Sequence, residues 1–141
     1  MIDTLATPIA AQLLSANATS LTTATPKTIA GTGSTGSIFL NAGTWLITGW
    51  INFIFASTTT GTSVQGGFNT TTNVLPTADA GLTGLTVTFP AGAPTTQSLT
   101  LTPTIVNVGV NGATYFLVGQ AAFAVSTLTA YGAIAATPLV P

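Results

Sequence analysis

The chain has 141 residues, enough for one domain with a real core, but only 2% of them are charged, against about 25% in ordinary globular proteins. Asp3, Lys27 and Asp79 are the only acidic or basic side chains, and Arg, Glu, His and Cys are absent. One Lys cannot neutralise a run of phosphates, so nucleic acid is excluded as a partner. Without His or Cys there is no zinc or copper set, and two acids do not build a hard-cation cage. Paired-carboxylate and Ser/His/Asp catalysis lack their parts, and there is no thiol to oxidise. The expectation is a protein that is not an enzyme, holds no cofactor or metal, and works by packing and binding.

Residues 1–20, MIDTLATPIAAQLLSANATS, have no basic leader region and carry Asp3, which argues against a secretory signal. Thr7 and Pro8 suit the N-cap and first position of a short helix over 8–16; an extended arm fits as well. Its apolar residues Ile2, Leu5, Ile9, Leu13 and Leu14 are candidates for contact with a larger neighbour. Short strands are expected over 21–24 and 28–30, a flexible Gly-rich loop over 31–37, a brief strand over 37–40 and a turn at 41–43.

The longest strand is expected over 44–56. Its odd positions read Trp45, Ile47, Gly49, Ile51, Phe53, Phe55 and its even positions Thr44, Leu46, Thr48, Trp50, Asn52, Ile54. One face is apolar and the other mixed, at period two. A turn over 57–61 leads to a strand over 62–69, weakened by Gly66 and Gly67 where a bulge is expected. An irregular loop over 70–84 carries Asp79. Leu85, Val87 and Phe89 alternate with threonines as a half-exposed strand, 90–94 turns, and Leu99 and Leu101 alternate up to the break at Pro103. Asn111-Gly112, flanked by alternating Val106, Val108 and Val110, is the strongest hairpin signal in the chain. Strands over 113–125 and 127–136 follow, and 137–141 is extended. About eight short strands joined by Gly/Pro turns read as all-β, an antiparallel jelly-roll sandwich over 21–141 preceded by an arm or short helix over 1–20.

Other readings compete with this one. Residues 38–56 are long enough to span a bilayer, and 115–136 is a second such stretch. The first contains Asn41, Gly43, Thr44, Thr48, Gly49 and Asn52, neither is flanked by Lys or Arg, and the period is that of a strand, so no membrane partner is expected. Gly31 to Gly36 matches G-x-G-x-x-G, but no helix pattern follows and no acid appears before Asp79, which makes it a plain loop. Asn17-Ala18-Thr19 and Asn69-Thr70-Thr71 are sequons, relevant only to a secreted eukaryotic protein. Trp45 and Trp50 could stack a sugar, although core packing is the simpler expectation for two residues inside an apolar run.

Two segments, Asn41-Ala42-Gly43-Thr44-Trp45-Leu46-Ile47-Thr48-Gly49 and the run from Tyr115 through Tyr131-Gly132 (YFLVGQAAFAVSTLTAYG), resemble small bacteriophage and prophage proteins that carry a jelly-roll domain like that of tumour necrosis factor and C1q. The match covers about a third of the chain at the level of motifs and specifies a fold rather than a chemistry. Relatives often continue after Tyr-Gly with an Arg-rich segment; here 133–141 is uncharged. The resemblance implies a homotrimer on the exterior of a virion, with the major capsid protein as partner: a capsid decoration or cement protein. The alternative it implies is the receptor-binding tip of a head or tail fibre, recognising a host surface glycan through loops such as 57–62 and 70–81. Apolar residues on both strand faces favour assembly independently, since large apolar patches are uncommon on soluble monomers. Trp50, Phe55, Phe116 and Tyr131 are the candidates to line a threefold axis; the competing role for each is to fill the sandwich interior.

Overall fold

The structure, a computed structural model, describes residues 8–12, 17–31, 34–89 and 95–140. Two antiparallel sheets pack face to face. The first is ordered β1 (Ile9–Gln12), β13 (Leu128–Val140), β7 (Gly43–Phe55), β10 (Thr95–Thr100); β2 (Thr19–Leu21) also pairs β13, and β11 (Thr104–Val108) also pairs β7. The second is ordered β3 (Lys27–Thr28), β12 (Ala113–Ala124), β8 (Thr60–Asn69), β9 (Thr83–Phe89), with β6 (Ser37–Leu40) also on β12. β4 (Ala30–Gly31) and β5 (Ser34–Thr35) form a separate two-stranded ladder.

The long strands explain why more short strands occur than the eight expected. β13 takes β2 along Leu128–Ala130 and β1 along Ala133–Ala136. β7 takes β11 along Gly43–Ile47 and β10 along Trp50–Phe55, the two separated around Pro103. β12 takes β6 and then β3 on the edge opposite β8. Each tandem pair acts as one broken ribbon, which leaves four ribbons per sheet. The chain crosses between sheets from β2 to β3, β6 to β7, β7 to β8, β9 to β10, β11 to β12 and β12 to β13, the wiring of a jelly roll.

Alternation builds the interior. From β7, Trp45, Ile47, Ile51, Phe53 and Phe55 are buried, joined by Val64 and Phe68 of β8, Leu117 and Ala121 of β12, and Leu128, Ala130 and Ile134 of β13. Each large side chain removed from water contributes about 1.5–3 kcal/mol. Gly66 and Gly119, paired across the second sheet, leave the room that Ile51 fills: a Cβ on Gly66 would lie 2.7 Å from Ile51 Cδ1 and one on Gly119 3.2 Å from it. Trp45 is a core residue with its Nε1 donating to the Asn41 carbonyl at 3.0 Å, which ties the 41–43 turn to the strand it starts. Among the described residues no buried side-chain nitrogen or oxygen lacks a partner.

Several expectations are corrected. Of the two alternatives for the arm, Ile9–Gln12 takes the extended one as a strand on β13 and not the helical one, so the sandwich begins before residue 21. In and beside the stretch expected as a loop, Ala30–Gly31 and Ser34–Thr35 pair as the β4–β5 ladder. The irregularity in β8 falls at Thr62, between the pairs made by Gly61 and Ser63, and not at Gly66-Gly67. Asn111-Gly112 turns the chain, with Gly112 N–H donating to the Gly109 carbonyl at 2.9 Å, but makes no hairpin: β11 joins β7 and β12 joins β6 and β8. Sending the two strands to opposite sheets lets Val108 and Leu117 both face the core, from opposite sides. The apolar stretch over 38–56 folds as β6, a turn and β7, and no helix among the described residues is long and apolar enough to cross a membrane.

Candidate assembly face

Alternation also sets the outward face of the first sheet. Opposite the core residues of β7 stand Thr44, Leu46, Thr48, Trp50, Asn52 and Ile54, all half-buried. Their cross-strand partners on β13 are Thr129 beside Ile54, Tyr131 beside Asn52, Ala133 beside Trp50, Ala135 near Thr48 and Thr137 beside Leu46. On the other flank Ser98 faces Asn52, Thr100 faces Trp50 and Ile105 faces Leu46. Ile105 is 63% and Leu139 43% exposed.

A polar brace crosses the middle of this face. Ser98 Oγ donates to Asn52 Oδ1 at 2.7 Å, and Asn52 Nδ2 donates to the Tyr131 hydroxyl at 3.0 Å. The Tyr131 ring meets Trp50 edge to face, 5.8 Å between centroids and 89° between planes, a geometry aromatic quadrupoles favour. Thr44 Oγ1 donates to Asn107 Oδ1 at 2.8 Å further along. Because the amide and hydroxyls satisfy one another within the face, it can lose water without stranding them. Beside the brace is a hollow of about 500 Å³ lined by Thr48, Trp50, Asn52, Ser98, Thr100 and Ala133.

No charged side chain lies on this face among the described residues. Lys27 is on β3 of the second sheet, its Nζ donating to the Ser20 carbonyl at 2.9 Å. Asp79 is in the 3-10 turn Ala78–Ala80, between β8 and β9. Asp3 is outside the described residues.

The four aromatic residues expected around one axis are divided by the structure. Trp50 and Tyr131 meet on the outward face. Phe55 is 1% exposed and fills the sandwich interior, because its odd position on β7 points it inward; it is removed from the set. Phe116, next to inward Leu117 on β12, is half-buried on the second sheet, away from Trp50. Of the candidate contact residues in the arm, Ile9 packs partly against the core, while Ile2, Leu5, Leu13 and Leu14 are outside the described residues. Asn52, Ser98 and Ala133 were not singled out from sequence. The even register of β7 pointed to Asn52, but nothing local indicates that Ser98 and Tyr131 bond it, since those partners lie 46 and 79 positions away.

Comparison of the chain with protein-family models finds no match, and comparison with curated proteins finds none.

Proposed function

We propose that this chain is a structural protein of a bacteriophage particle, a homotrimeric jelly roll that decorates the capsid and cements it through apolar contacts with the major capsid protein. The observation that carries the reading is the uncharged, half-apolar outward face of the first sheet. The chain's own 70–82 loop covers part of the second sheet's outward side, where Pro76 sits over Gly67 and Asn73 bonds Thr28, whereas nothing in the described chain covers the first. The two 13-residue strands β7 and β13 with their shorter flanking ribbons, about 4.8 Å apart and rising about 3.3 Å per residue, span about 700 Å², close to the area one partner contributes to a stable interface. A face without charge offers nothing for a charged partner to read. Three copies closed around an axis, each laying this face toward a different patch of the next, would withdraw it from water. The two segments that resemble phage jelly rolls supply β7, β12 and the start of β13, the strands on which both sheets are built.

The action of such a protein is mechanical. Apolar area withdrawn from water, at about 25 cal/mol per Å², holds subunits together, and no chemical step is involved. Sedimentation of the purified chain at micromolar concentration should give a trimer, and particles deprived of the protein should lose resistance to heat or internal pressure. A stable monomer at high concentration, or particles equally robust without it, would overturn the reading.

A further inference from the structure

We infer that the groove beside the 70–82 loop is a binding site for a small neutral saccharide. It can be tested apart from the assembly proposal: the groove borders the assembly face and shares Ile105 with it, but Trp50, Asn52, Ser98 and Tyr131 do not line it. The groove encloses about 520 Å³, within the range of small-ligand sites. Phe68, Val74 and Tyr115 give it apolar walls, and Asn69, Thr77 and Asp79 its polar groups. Val74 is 46% exposed, an apolar side chain left at the mouth rather than drawn into the core.

The loop is held in shape before any ligand arrives. Thr28 N–H donates to Asn73 Oδ1 at 2.8 Å and Asn73 N–H to Thr28 Oγ1 at 2.9 Å, with Asn73 in the left-handed region at φ 58°, which Asn tolerates. Pro76 is buried against Gly67. Ala80 and Leu82 N–H both donate to the Thr77 carbonyl, at 3.0 and 3.2 Å. Gly81, at φ 92°, closes the turn where a Cβ would strike Thr104 Oγ1. A preformed groove spares the ligand the cost of ordering the loop.

The lining selects the ligand by charge and valence. With one carboxylate and no cation, the groove disfavours phosphates, sulfates and acidic sugars. A purely apolar ligand would take water from Asp79 and Asn69 and return no hydrogen bonds. A neutral sugar offers hydroxyls that donate to Asp79 and exchange bonds with Asn69 and Thr77, and C–H faces that lie on the Tyr115 ring and Val74.

The test is an NMR titration of the full chain with glucose, galactose, N-acetylglucosamine and the β1,4-linked disaccharides of glucose and N-acetylglucosamine, with glucuronate as the anionic probe. The expected result is saturable amide shifts confined to residues 68–82, 104–106 and 115 for at least one neutral sugar, with glucuronate inert. Asp79→Asn should weaken binding about tenfold or more, as expected for loss of a hydrogen bond to a charged group, and Thr77→Ala less, both with an unchanged circular dichroism spectrum. Trp50→Glu should bind the sugar as the parent does, even if its assembly is lost. No saturable shift with any neutral sugar, equal binding of glucuronate, or undiminished binding by Asp79→Asn would overturn the inference.

Discussion

The two sheets turn very different faces outward. On the second, Val118 projects away from the core yet is fully buried; Gly67, its partner across the ladder, is roofed by Pro76, and the loop carrying that proline is pinned to β3 through Asn73 and Thr28. On the first, Leu46, Trp50, Ile54 and Tyr131 stay half-open, organised by the Ser98–Asn52–Tyr131 brace. Both sheets carry apolar residues on their outward sides, but the chain roofs only one. The difference teaches that such residues do not by themselves mark an interface. What distinguishes the first face is that Ser98, Asn52 and Tyr131 bond one another within it while its apolar groups have no roof from the described chain.

Placing a charge on each face tests this contrast with the largest expected effect. Trp50→Glu puts a carboxylate with no cationic partner into the proposed interface, a cost of several kcal/mol, so the dissociation constant should rise about a thousandfold or more and the sedimenting species should become a monomer. Gln120→Glu, outward on β12, should leave the trimer intact. Equal disruption by both would erase the distinction between the faces. Unroofing the second sheet is the next largest effect. Asn73→Ala removes the side-chain acceptor of the Thr28 N–H and places Ala in the left-handed region, so urea unfolding should show a loss of about 2–3 kcal/mol, with new apolar surface reported by dye binding.

A finer probe is Tyr131→Phe. It keeps the ring against Trp50 but deprives Asn52 Nδ2 of its acceptor, so stability should fall by about 1 kcal/mol while the trimer persists. The smallest effect concerns pH. Burial raises the Tyr115 phenol above its ordinary 10.0, so the fold favours the neutral form. Its contribution is fully present below pH 10 and is lost as pH rises through the raised value. Thermal melting should therefore be flat from pH 5 to 8, where no side chain of this composition ordinarily titrates, and decline above pH 10. Tyr115→Phe should remove part of that decline.

Much of this was legible before any coordinates. The odd register of β7 announced Trp45, Ile47, Ile51, Phe53 and Phe55 as core, and the even register announced a second, mixed face. The same alternation would have kept Phe55 out of an interface, since it shares the register of Phe53; being aromatic carried less information than its parity. Asn111-Gly112 was legible as a turn and misread as a hairpin, because local residues encode how a chain bends but not which partner the next strand will find. Pro8 left a helix and an extended arm both open, and the pairing decided for the strand, because β13 offers Ile9–Gln12 a ladder of hydrogen bonds.

Composition and period two alone determined that this chain is an all-β sandwich with almost no charge, since those properties depend only on residue type and on the alternation of side chains along a strand. Which outward face is roofed, which aromatics meet, and that Asn69, Asp79 and Tyr115 share a groove were decided by tertiary structure. Each joins residues dozens of positions apart, and only the crossings between sheets bring them within reach.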